Sequence, residues 1–285
     1  MITHLARSIQ KNIKKLNSYF YRGQFDKMEH NHATEGRLKM SLLSLQNLIG
    51  GYTRNPVLKD VSFEVNEKEL VGLIGLNGAG KSTTIKHIIG LMEPHSGKIE
   101  INGQTFTENK ESYRRLFTFV PETPILYEEL TLEEHLRLTA MAYGLEESIY
   151  KTRIAPLLSE FRMEKRLNWF PAHFSKGMKQ KVMIMCAFLV QPALYIVDEP
   201  FVGLDPLGIQ SLLDLMKKMK ENGAGILMST HILSTAEKYC DRFIILHEGK
   251  VRAKGTLEEL RKEFSMPNAS LDDLYIQLTK EDNYV

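Results

Sequence analysis

The run Gly75-Leu76-Asn77-Gly78-Ala79-Gly80-Lys81-Ser82-Thr83 holds the most specific chemistry in the sequence. It matches G-x-x-x-x-G-K-[ST] at every defined position. Its three glycines let the backbone fold tightly around an anion, since no Cβ blocks positive φ or close approach. Successive N–H groups then converge on phosphate, and the helix that follows adds its positive N-terminal end. Lys81 is the point charge for the β- and γ-phosphates, and the Ser82 hydroxyl is a ligand for Mg²⁺. The pattern predicts binding of a nucleoside triphosphate.

Other residues extend that chemistry. Asp198-Glu199 follows the apolar run Leu194-Tyr195-Ile196-Val197. Two acids at the end of a buried strand are costly unless something pairs them. In a phosphate-loop protein Asp198 would serve the metal and Glu199 would orient or deprotonate the attacking water. His231 ends another buried run, residues 224–229 followed by Thr230, and ligands of open α/β sheets sit at the carboxyl ends of strands. Tyr52, before the turn Arg54-Asn55-Pro56, offers either a ring to stack on adenine or ordinary packing. Ser175 is placed as the N-cap of an apolar helix. It marks either a second anion site or, as this stretch alone favours, a capped core helix.

The elements needed to position these groups are legible in order. Residues 42–65 read as antiparallel strands, 70–74 as the buried strand feeding the phosphate loop, and 85–91 as the continuing helix. Residues 97–101 form a strand ending in the Asn102-Gly103 turn, and Phe117-Thr118-Phe119-Val120 a strand cut off by Pro121. Thr131 with Glu134 is a capping box, opening a helical stretch to about Leu167 with a break at Gly144. Residues 182–190, preceded by the Ser175–Lys181 stretch, and 207–221 read as helices, the second started by Gly203-Leu204-Asp205-Pro206. A hairpin about Glu248-Gly249 and a helical tail over 256–285 close the chain.

Composition excludes several classes. The 285 residues allow one large or two small domains. A net charge of +2 makes no electrostatic case for nucleic acid. Cys186 and Cys240 lack metal spacing and read as free thiols of a reducing compartment. The longest apolar run, residues 182–190, is far short of the ~20 residues of a membrane span, so a membrane role must come through a partner chain. Residues 1–39 differ from the rest. Ile2, Leu5, Ile9, Ile13 and Leu16 fall at helical spacing with lysines and an arginine between them, as in a surface-lying amphipathic helix. The favoured expectation is instead that the natural start is Met40 and the upstream segment is leader or otherwise non-native sequence.

Taken together, Tyr52, residues 75–83, Glu122, Ser175-Lys176-Gly177-Met178-Lys179-Gln180, Asp198-Glu199, Asp205 and His231, in that order, resemble the ATPase subunits of ATP-binding cassette (ABC) transporters. The resemblance spans about residues 42–255 and looks closest to the Ecs-type branch of Gram-positive bacteria. It implies an α/β phosphate-loop NTPase fold. That fold is an ABC-type nucleotide-binding domain with a mixed β core, an antiparallel β subdomain and a helical subdomain inserted at about 123–190. By the same resemblance Tyr52 stacks on adenine, residues 75–83 hold the phosphates, and Ser82, Asp198 and Glu122 serve Mg²⁺. Glu199 is the catalytic base, with His231 and Lys81 at the γ-phosphate. Ser175 and Gly177 match the signature loop, which in this family closes on ATP held by the other subunit, and Asp205 matches the loop communicating across that interface. The partners implied are a second copy of the chain and an integral membrane subunit, and the location is the cytoplasmic face of the membrane.

Two departures from the family pattern stand out. The usual Leu-Ser-Gly-Gly-Gln is Phe174-Ser175-Lys176-Gly177-Met178 here, and the usual glutamine after residue 120 is Glu122. Ile125, Leu126 and Tyr127 are candidates for the contact with a membrane subunit, or for closing the helical insert's own core. The function expected is ATP hydrolysis driving an exporter. The alternative is a soluble ATPase of the same fold acting on nucleic acid or ribosomes. A small-molecule kinase or GTPase would leave the acid pair and signature loop unexplained, and no Asn-Lys-x-Asp occurs to read guanine.

Overall fold

The structure, a computed structural model, describes residues 41–281. The expectations placed on residues 1–39, and on a start at Met40, lie outside the described residues.

Strands β1 (Leu43–Gly50), β2 (Leu58–Val65) and β4 (Ser96–Ile101) form an antiparallel sheet in the order β2-β1-β4. The second sheet holds β3 (Leu70–Ile74), β5 (Phe117–Val120), β6 (Leu194–Asp198), β7 (Gly225–Thr230), β8 (Arg242–His247) and β9 (Lys250–Gly255). Its order is β5-β6-β7-β3-β8-β9, parallel except for β9, which turns back on β8. Every residue of β3, β6 and β7 is buried, as their unbroken apolar runs require of strands covered on both faces. The expected combination of mixed core and antiparallel subdomain is what the chain adopts.

Helix α1 (Lys81–Ile88) follows the phosphate loop. It stops at Gly90, whose φ of 72° ends the turn, so residues 89–91 leave the helix earlier than expected. A short helix α2 (Lys110–Arg115) was not legible in the hydrophobic pattern; Asn109 caps it by accepting from the N–H groups of Glu111 and Ser112. Helices α3 (Leu132–Ala142) and α4 (Glu147–Phe161) build the insert, joined at Gly144. The capping box at α3 is present in both halves, Thr131 with the Glu134 N–H and Glu134 with the Thr131 N–H.

Helices α5 (Lys176–Val190) and α6 (Pro206–Glu221) carry the insert back onto the large sheet. One apolar cluster spans Leu136, Phe161, Phe188, Tyr195 and Met228, so insert and sheet share a core. Helix α7 (Leu233–Tyr239) follows β7, and α8 (Leu257–Glu263) and α9 (Leu271–Glu281) end the described chain. Those last helices pack Leu260, Leu271, Leu274, Tyr275 and Leu278 against Ile74, Ala236, Phe243 and Ile245. Of the three candidates for an exposed contact, Ile125 and Tyr127 are exposed, whereas Leu126 is half-buried against the main core. Among the described residues, no helix is long and apolar enough to cross a membrane.

Candidate functional site

Parallel pairing brings the carboxyl ends of β3, β6 and β7 level. Asp198 pairs in register with Ser229, and Ile74 with Thr230. The residues that continue these strands therefore emerge together at one edge: Gly75 into the phosphate loop, Glu199 after β6, His231 after β7. Glu199 and His231 line a cavity of about 450 Å³ with Tyr52, Gly78, Lys81, Ser82, Thr83 and Glu122.

The phosphate loop opens α1 without a side-chain cap. Its N-cap is Gly80 at φ 109°, a left-handed conformation that suits glycine, and an added Cβ would press on Leu58 Cδ2 at 2.8 Å. The first-turn N–H groups of a helix need partners. Here no serine, threonine or acid spends them, which leaves an anion-binding end facing the cavity.

Lys81 is buried and turned back along the loop, donating to the Gly75 carbonyl at 2.7 Å. Its Nζ also lies 3.3 Å from Glu199 Oε1, an oxygen with no hydrogen-bond partner of its own. The other carboxylate oxygen, Oε2, lies 2.9 Å from His231 Nδ1 and accepts from the His231 N–H at 3.3 Å. A carboxylate has no proton to give, so that contact puts the proton on Nδ1 and leaves Nε2 free for other chemistry. Lysine, glutamate and histidine thus form one contiguous polar chain lining the cavity.

Glu199 sits at φ 44°, a left-handed backbone costing a non-glycine residue about 1–2 kcal/mol. Its N–H donates to both the Ser229 carbonyl (3.2 Å) and the Ser229 Oγ (3.1 Å), which holds it there. Such outliers concentrate where chemistry dictates geometry. Ser229 Oγ in turn donates to Asp198 Oδ1. Ser229 was not singled out in the sequence. The signal was available in the strand register, which sets it directly beside Asp198.

Burial pushes the Asp198 carboxyl above its usual range, and hydrogen bonds from Ser229 and Ser82 oppose that shift. Ser82 and Asp198 therefore meet, as a site for a hard cation needs: one hydroxyl and one carboxylate oxygen. Among the described residues no group of three or more His, Cys, Asp or Glu could hold a metal alone. Glu122 lines the same cavity as Ser82.

Tyr52 is 62% exposed, with its ring over the α1 side. Lys86 Nζ donates to its hydroxyl at 2.9 Å and lies 5.1 Å from the ring centre, and these contacts with Lys86 and Thr83 lower the phenol below its usual range. Of the two readings of Tyr52, ordinary packing is what the contact with Lys86 shows, while the exposed ring is left available for stacking.

Ser175, Gly177 and Asp205 are not in this cavity. Ser175 caps α5, accepting from the Met178 N–H at 3.3 Å. Asp205 caps α6, accepting from the Gly208 N–H at 2.7 Å and pairing with Lys181 at 3.3 Å. Gly177 is pressed against the loop before Asp205, where a Cβ would lie 2.3 Å from the Gly203 carbonyl oxygen. The structure thus joins these three into one rigid corner, apart from the phosphate loop of the same chain.

A model of the ABC transporter family matches residues 58–202. The chain is 71% identical over 243 residues to the ABC-type transporter ATP-binding protein EcsA of Bacillus subtilis, covering 85% of this chain and 98% of that protein. It is 33% identical over 238 residues to the linearmycin resistance ATP-binding protein LnrL of the same organism, covering 84% and 75%. A solved structure of an ATP binding subunit of an ABC transporter superposes with a TM-score of 0.83 at 65% identity, covering 84% of this chain and all of that one.

Proposed function

Because this chain belongs to the ABC transporter family, as an ATP-binding subunit with ATPase activity, we propose that it drives an exporter by closing on ATP as a dimer beside a separate transmembrane subunit. Support for export comes from the relative named for linearmycin resistance, and support for a shared site from the corner formed by Ser175, Gly177 and Asp205. Those residues present helix ends and a serine outside the chain's own cavity. A second copy, related head to tail, gives them a nucleotide to meet. The chain then works at the cytoplasmic face of the membrane, held there by its partner.

The observation that carries the catalytic assignment is the joined set Lys81–Glu199–His231 beside Ser82–Asp198. The residues of the loop from Gly75 to Thr83 bind the phosphates through backbone N–H groups, and Tyr52 offers its exposed face to adenine. Ser82 and Asp198 would hold Mg²⁺, with Glu122 available through water, and the ion would supply positive charge against the phosphates. When γ-phosphate enters, Lys81 exchanges its contact with Glu199 for phosphate oxygens. That exchange leaves Glu199 as a free base for the attacking water. His231, oriented by Glu199 through Nδ1, keeps its remaining nitrogen available for the γ-phosphate.

Light scattering on the Glu199→Gln variant tests the dimer: twice the monomer mass with MgATP is expected, and a strict monomer overturns it. Purification of the tagged chain from membranes tests the partner. Recovery of one integral membrane protein at fixed ratio is expected, and a chain found only in the soluble fraction refutes the coupling.

A further inference from the structure

We propose that Tyr275, on the last helix, is a positioning residue for the phosphate loop. Its hydroxyl accepts a hydrogen bond from the Leu76 N–H at 3.0 Å, across 199 positions of sequence. Tyr275 is buried, 5% exposed, although the side chain of Leu76 is exposed, so the bond is sheltered from the tyrosine side. Leu76 is the second residue of the loop, and its N–H is one of the groups that fix how the loop leaves β3.

The surroundings make the contact a built one. Tyr275 belongs to the cluster that includes Ile74, the residue directly before the loop. Its ring meets His247 edge-on, with centroids 6.4 Å apart. His247 ends β8, and two residues later the Gly249 N–H donates to the Ala79 carbonyl at 3.0 Å, a second tie to the same loop. At the helix start, the Leu271 N–H donates to Glu237 Oε2 at 2.6 Å. Glu237 lies on α7, the helix that His231 leads into. Helix α9 is therefore fastened at one point to the phosphate loop and at another to the element behind His231.

Tyr275 touches no phosphate position itself and acts through Leu76. By holding the loop's first turn in shape before nucleotide arrives, it lowers the ordering cost of binding. A pre-set loop favours ground state and transition state alike, so the effect belongs in affinity rather than in turnover. This inference rests on the phosphate-loop reading of residues 75–83 given above.

The test compares full-length Tyr275→Phe, which keeps the ring and removes the hydroxyl, with Leu260→Ala. Leu260 is buried in the same cluster on α8 and has no bond to the loop. Titration calorimetry with MgADP should show Kd raised about threefold to tenfold in Tyr275→Phe, the worth of one hydrogen bond. KM for ATP should rise alike, with kcat within twofold. Leu260→Ala should lower Tm while leaving Kd within twofold. Equal affinity in Tyr275→Phe and the unsubstituted chain overturns the proposal, as does an equal loss in Leu260→Ala. Hydrogen exchange at the Leu76 amide of the nucleotide-free chain reads the bond without any substitution. Slow exchange is expected, faster in Tyr275→Phe, and fast exchange in the unsubstituted chain refutes the contact. Failure of the unsubstituted chain to bind MgADP would refute the phosphate-loop reading itself, and the exchange measurement would still decide the contact.

Discussion

Helices α1 and α5 both begin at a loop carrying glycine, lysine and serine, yet their first turns are finished differently. At α1 the cap is a left-handed glycine and no side chain takes the free N–H groups. At α5 the hydroxyl of Ser175 takes the Met178 N–H, and at α6 the carboxylate of Asp205 takes the Gly208 N–H. A bare helix end is unstable without a ligand; a capped one is stable on its own and can meet a ligand only by its outer surface. The difference separates a site that grips within the chain from a corner built to be presented to something else.

Glu199→Gln should have the largest effect, lowering turnover about 10²–10⁴-fold while ATP affinity is kept, since the loss is of a positioned base. A turnover assay with parallel binding titrations checks it, and unchanged turnover would detach the Lys81–Glu199–His231 chain from the chemistry. Next comes Lys81→Ala, expected to weaken MgATP binding about 10–100-fold, the worth of a charged hydrogen bond. Retained affinity would mean that the bare end of α1 is not the gripping site.

Ser175→Ala sharpens the contrast from the other side. It should cost about 1 kcal/mol of stability as a lost cap and leave MgADP binding by the single chain intact, while ATP-driven dimer formation falls. A matching loss of MgADP affinity would erase the distinction between the two helix ends. The smallest effect is expected for Asp205→Ala. The Gly208 N–H, helped by Lys181, holds the Asp205 carboxyl below its usual range. A depressed folded value means that its stabilisation is full above the ordinary carboxylate pKa of about 3.9 and vanishes as pH falls through the lower folded value. The stability gap between Asp205→Ala and the unsubstituted chain, about 0.5 kcal/mol at neutral pH and read as a difference in Tm, should therefore close under acid conditions. Because the carboxyl is largely exposed, added salt should reduce only the ion-pair part.

Much of this site was legible because its residues announce themselves locally. The glycine-lysine-serine run, the acid pair closing an apolar strand and the histidine ending another each need only a short window of sequence. The three buried strands were legible for the same reason. Ser229 and Tyr275 were not, since each acquires its role from a partner brought near by the fold: Asp198 by strand register, Leu76 by the return of the last helix. The helix at Lys110–Arg115 escaped because it is short and buries only Tyr113, so its hydrophobic period is too brief to read; Asn109 was its one signal. Leu126 could not be told from its exposed neighbours Ile125 and Tyr127, because burial in a loop follows from tertiary packing rather than from period.

The strand that feeds the phosphate loop pairs on one side with Gly225–Thr230 and on the other with Arg242–His247. Both neighbours are made more than 150 residues after it. During synthesis at about 5–20 residues per second, the strand therefore waits on the order of ten seconds as an unpaired apolar segment before its sheet can close around it. Chains cut short before β8 should leave the ribosome without a binding site and with an unsheltered strand, prey to aggregation or proteolysis.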